Sequence, residues 1–185
     1  MIQMTTKGKD NTFRLVLTAL FAALTAAATL AIRIPSPMNG YINLGDALVL
    51  ACAWMLGPLY GTIAAGVGSM LADLISGYAA YAPGTLIIKS ATALAACLLF
   101  NALNKKDADK HGVRIAKRII SGILGETIMV DGYFGYACLL MGKGLAAAAS
   151  IPGNCFQGAA GIILGIALTE ALMRNGRIRE YLNKF

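Results

Sequence analysis

The chain has 185 residues, of which 57% are hydrophobic and only 14% charged, and its net charge is +7. A soluble domain carries about 25% charged residues, so this composition excludes an ordinary soluble enzyme. The basic excess would point to nucleic acid in a soluble protein; here it accompanies repeated apolar stretches of about 20 residues, the length that crosses a hydrocarbon core, and it reads as a topology signal.

Residues 1–12 are polar and read as a tail. Residues 13–34 form an apolar run longer than the 7–15 or so residues of a signal-peptide core, and more spans follow, so the run reads as helix 1. Its alanines recur at i, i+4: Ala19 with Ala23, Ala22 with Ala26. Such small-residue faces let helices approach closely in lipid. Residues 33–41 read as a Pro/Gly/Asn loop. Helix 2 is expected over 43–56. The GPLYG turn after it is so short that helix 3, over 61–78, must return antiparallel. Helix 3 carries Ser69, Asp73 and Ser76 on one face. Helix 4, over 85–103, carries Thr85, Lys89 and Thr92 on one face.

The strongly hydrophilic stretch 104–118 separates helix 4 from helix 5, expected over 115–140 with Glu126 and Asp131. Helix 6 is expected over 148–173, with Pro152 in its first turn and Asn154 and Gln157 on one face. The tail is polar and basic. The division is therefore a tail over 1–12, an all-α membrane domain of six transmembrane helices over 13–174, and a second tail over 175–185. Counting Lys and Arg, one side holds 13 and the other only Arg33 and Lys143, with Lys89 inside helix 4. This asymmetry places both termini in the cytoplasm and makes the chain a multi-pass plasma-membrane protein.

With that orientation Asp46, Asp73, Lys89, Asp131, Asn154 and Gln157 fall in the outer half of their helices, and Glu126 falls near the middle. A charge at membrane depth costs roughly 2.5–3.5 kcal/mol on insertion scales and is a functional-site hypothesis by default. A polar cavity open to the exterior explains the pattern. Each residue also has a structural reading. Asp46 follows Gly45 at a helix start and is placed to cap it. Asp73 is placed to bond across helices, and Lys89 to pair with either aspartate. Asp131 lies roughly 140° around the helix from Glu126, at a rim or interface. Amides such as Asn154 and Gln157 also glue helices. Tyrosines 41, 78, 81, 133 and 136 fit an aromatic belt or a stacking surface for a flat ligand. The cysteines Cys52, Cys97, Cys138 and Cys155 form no CxxC pair and read as buried thiols, and His111 is the single histidine, so neither metal nor cofactor is expected.

The alanine-rich first helix, the segment GYINLGDALVLACAWMLGPLYGTIAAGVGSMLADLISGYAAYAPGTLIIK, and GYFGY followed by IPGNCFQG resemble the substrate-binding S components of energy-coupling factor (ECF) transporters. The resemblance covers nearly the whole chain. It implies a prokaryotic protein with six helices that binds a vitamin between the outer parts of helices 4 to 6 and the loop after helix 1. It places Lys89, Glu126, Tyr133, Asn154 and Gln157 at the pocket, and Asn39 and Tyr41 on a gating loop. It puts Ala19, Ala22, Ala23 and Ala26 on a face that docks a transmembrane coupling subunit, which joins two ATPases. Asp46 and Asp73 are then structural polar residues that position and neutralise Lys89, and Asp131 matches no role. The chain has no G-x-x-x-x-G-K-[ST] phosphate loop, in keeping with ATP hydrolysis in partner subunits rather than here. Uptake of pyridoxine or hydroxymethylpyrimidine is the favoured expectation, with riboflavin a further candidate. The rival reading is an ion-gradient-driven secondary transporter or channel. It lacks support from internal repeats or broken helices meeting at the midplane.

Overall fold

The computed structural model describes residues 6–36, 40–104 and 111–182. The first helix, α1 (Thr6–Ala31), starts within the segment read as a tail and ends three residues before the expected boundary. Pro35 accounts for the early end, because the residue before a proline is pushed out of the helical region. The chain then forms a β-hairpin rather than an irregular loop. Strands β1 (Arg33–Ser36) and β2 (Gly40–Asn43) pair antiparallel, with Arg33 opposite Asn43 and Pro35 opposite Tyr41. Asn39 lies outside the described residues.

The short helix α2 (Gly45–Met55) has 11 residues, and ten of them are buried. At 1.5 Å per residue it is about 16 Å long, roughly half a hydrocarbon core. Gly57, with φ 73°, breaks it from α3 (Gly57–Ile75), a conformation that side-chain-bearing residues rarely adopt. Pro58 then occupies the first turn of α3, where a missing N–H costs nothing. Helices α4 (Ala82–Asn104) and α5 (His111–Gly135) come next. The last turn of α5 widens into a π-helical turn, Tyr136–Leu140, and a 3-10 segment, Gly144–Ser150, leads into α6 (Ile151–Arg174). A short helix, α7 (Gly176–Leu182), occupies the region read as a plain tail.

Five helical stretches are long and apolar enough to cross a membrane; α2 is not. The expected second span corresponds to α2, a shorter apolar helix of 11 residues. Neighbours around the bundle run α1, α3, α4, α5, α6, and α2 fills the remaining gap between α6 and α1 while also touching α3 and α4 inside. This explains why α2 is apolar all round: Val49, Leu50, Ala51 and Cys52 are at the centre of the core. Helices α1 and α3 meet closely at Gly68. A Cβ there would strike the Ala22 carbonyl and the Thr25 side chain, so Gly68 permits backbone contact.

At one end of the bundle Arg118 pairs with Glu170 and lies 5.6 Å from the Phe100 ring centre, while Trp54 donates to Ser121 at 3.0 Å. The other end holds a polar cavity.

Candidate functional site

The cavity lies where α1, α3 and α5 end, where α4 and α6 begin, and beneath the hairpin. With its open mouth it holds about 640 Å³ of non-atom space. Its charged feature is Lys89, one to two turns into α4. Lys89 is buried and its ammonium pairs with Asp46 in the first turn of α2. The second Asp46 oxygen accepts from the Gln157 amide at 2.6 Å. The Gln157 oxygen accepts from the Asn43 backbone N–H at 2.8 Å, and Asn43 Oδ1 accepts from Gly45 N–H at 2.8 Å. Asp46 therefore makes no cap to its own helix: its carboxylate is spent on Lys89 and Gln157, while Asn43 serves the helix start.

This chain of bonds ties four elements together: β2 through Asn43, α6 through Gln157, α2 through Asp46 and α4 through Lys89. Removing charges from water is costly, and such a pair holds only with good geometry and further hydrogen bonds, which the amide supplies. A second tie runs from the hairpin to α3, where the Tyr41 hydroxyl donates to Asp73 at 2.6 Å.

Aromatic rings make up much of the remaining wall. Tyr41 and Tyr78 stack at a tilt, ring centres 4.9 Å apart. Tyr133 shares a 3.0 Å hydrogen bond with Thr85, and the Lys89 ammonium lies 5.4 Å from its ring centre. Tyr81 lines the cavity and accepts from Lys143 at 2.7 Å, which ties the α3–α4 connection to the α5–α6 connection. Tyr136 holds the same connection through a 2.7 Å bond to the Ala80 carbonyl. Such rings offer flat faces, and the hydroxyls and amides between them offer directional bonds.

Of the binding residues expected from sequence, Lys89, Tyr41, Tyr133, Asn154 and Gln157 line this cavity. Asp73, expected as scaffold, lines it as well. Glu126 does not: it is buried behind the cavity wall, with its side chain against Gly158 and one carboxylate oxygen near the Cβ position of Gly161. Two small residues of α6 thus let it approach Asp46 and Lys89 from behind. Asp131 is exposed on the outside of α5. Sequence reasoning missed Thr29, Asn43 and Ser69 on the wall. The signal of Thr29 and Ser69 was faint, because single hydroxyls on apolar helices are common. The alanines divide: Ala19 and Ala23 are exposed, whereas Ala22 and Ala26 are buried. Ala22 and Ala26, expected on the docking face, lie on the side of α1 that packs within the bundle, with the Ala22 backbone set against Gly68. Among the described residues no group of three or more His, Cys, Asp or Glu side chains could hold a metal.

Apolar helices long enough to cross a membrane, closed around a polar cavity, make a membrane protein with a candidate small-molecule site. The profile of the family described as "ECF-type riboflavin transporter, S component" matches residues 9–174, and the chain belongs to that family. It is an S component, a substrate-binding subunit in vitamin uptake, and a multi-pass membrane protein. A protein from Pyrococcus woesei, described as an uncharacterized protein in gap 3'region, is 38% identical over 148 residues, covering 79% of this chain and 92% of the relative. A solved structure described as the S component of a bacterial ECF transporter matches with a TM-score of 0.65 at 22% identity. It covers 89% of this chain and 97% of that one, a likeness of fold.

Proposed function

We propose that this chain captures riboflavin from outside the cell and hands it to a transmembrane coupling subunit driven by two ATPase subunits. The observation that carries the reading is the cavity: tyrosine rings for a flat heterocycle, beside Lys89, Asn154 and Gln157 for its polar edge. The family description favours riboflavin over pyridoxine and hydroxymethylpyrimidine, the one-ring ligands expected from sequence. The hairpin is the closing element, because its two ties, Tyr41 to Asp73 and Asn43 to Gln157, both end on cavity residues. Lys and Arg counts put both termini in the cytoplasm and the cavity at the exterior. β2 and α2 laid end to end measure about 13 plus 16 Å, enough to complete a sixth crossing.

The test is a titration of the purified protein in detergent, without nucleotide or ion gradient, read by quenching of riboflavin's own fluorescence. Saturable binding, tighter than to pyridoxine or hydroxymethylpyrimidine, is expected. Binding of a one-ring ligand with none of riboflavin would overturn the choice of ligand. Uptake by this chain alone, strictly dependent on a sodium or proton gradient, would favour the secondary-transporter reading.

A further inference from the structure

Helical threonines in this protein follow a habit. Thr18, Thr25, Thr92, Thr127 and Thr169 each donate to the carbonyl four residues back, at 2.7–2.9 Å. That local bond is the usual way an apolar helix satisfies a hydroxyl. Thr29 departs from it. It lies one turn beyond Thr25 on α1, is buried, and its Oγ1 has no hydrogen-bond partner. Its hydroxyl points over Gly45, at the place where a side chain on that residue would stand. The missing Cβ of Gly45 therefore leaves room for the Thr29 hydroxyl.

Ser69 on α3 behaves the same way. It is buried, its Oγ has no partner, and it lines the cavity, as Thr29 does. By contrast Ser90, Ser121 and Ser150 all donate to backbone carbonyls, and Ser76, whose Oγ is also buried without a partner, does not line the cavity. The close approach of α1 and α3 at Gly68 brings the two hydroxyls to one wall, since Ser69 is its neighbour in sequence and Thr29 is one turn beyond Thr25. A buried hydroxyl without a partner costs free energy, so two of them on residues that line one cavity point to something that bonds them there.

We propose that Thr29 and Ser69 form a second polar subsite, on the α1–α3 wall of the cavity, which hydrogen-bonds a neutral oxygen-bearing group of the ligand, a hydroxyl or a carbonyl. The subsite lies on different helices from Lys89, Asn154 and Gln157, which belong to α4 and α6. The ligand is thereby read from two walls, a cationic and amide wall and a hydroxyl wall. This rests on reading the cavity as the ligand site.

Thr29→Val and Ser69→Ala test it, with Thr127→Val, a back-bonded and exposed threonine, as the control. Each cavity variant is expected to weaken riboflavin binding about 3- to 10-fold, the size of one hydrogen bond, while the control leaves it unchanged. Unchanged affinity in both cavity variants overturns the subsite. If the wild-type protein takes pyridoxine instead, the same loss read with pyridoxine supports the subsite while the riboflavin reading fails. Melting of the ligand-free protein gives a readout that needs no ligand. Unpartnered hydroxyls predict midpoints unchanged or raised in both variants. A lowered midpoint in both would mean that the hydroxyls are used by the fold, and would overturn the proposal even if neither vitamin binds.

Discussion

Lys89 is the residue on which the cavity depends. Its ammonium is buried, and Asp46 and Gln157 together keep it there. Removing one partner of a buried pair leaves the other charge uncompensated, at a cost of about 3–5 kcal/mol. Asp46→Ala is therefore expected to lower the unfolding midpoint sharply in detergent melts. Replacing both charges, as Asp46→Leu with Lys89→Met, should recover much of that stability while ligand affinity stays low. If the double variant binds normally, Lys89 has no part in ligand contact. Glu126→Gln should change affinity less than Lys89→Met, because Glu126 is not among the residues that line the cavity.

At the scale of the element, α1 has two faces built from the same residue type. Ala22 is set against α3 with Gly68, whereas Ala19 and Ala23 are exposed among Leu15, Val16, Leu20 and Leu24. A bulky side chain thus has opposite consequences one position apart. Ala23→Trp is expected to leave riboflavin binding by the purified protein intact but abolish uptake in cells, since it obstructs docking on a partner helix. Ala22→Trp is expected to push α1 off α3 and reduce the yield of folded protein. Normal cellular uptake by Ala23→Trp would remove the exposed alanines from any docking face. The hairpin is a second such element. Four residues per strand cannot stand alone, and β2 is held by Tyr41 and Asn43 through side chains of distant helices.

For the whole molecule, the cavity and the Arg118–Glu170 cluster occupy opposite ends of one bundle. The proposed orientation, drawn from the Lys and Arg distribution, puts the cavity end at the exterior. In a background with native cysteines replaced by alanine, Arg33→Cys should react with a membrane-impermeant thiol reagent on intact cells. His111→Cys should react only after permeabilisation. The reverse pattern would invert the proposed topology and place the cavity in the cytoplasm.

Hydropathy and charge made the membrane class, the positions of the long helices and the location of the polar residues at one end readable from sequence. Each of these depends on runs of residues, and a run of about 20 apolar positions has few alternatives in lipid. Motifs in the same runs also carried the family. Tertiary packing alone decided the rest. It made α2 a short central helix, because its residues meet neighbours on every side. It paired 33–36 with 40–43, because Tyr41 and Asn43 find acceptors on α3 and α6. It divided the alanines of α1 between an inner and an outer face. It set Glu126 behind the wall and brought Thr29 and Ser69 onto it, because which side of a helix faces a cavity depends on its rotation against its neighbours, and spacing along one helix leaves that rotation open.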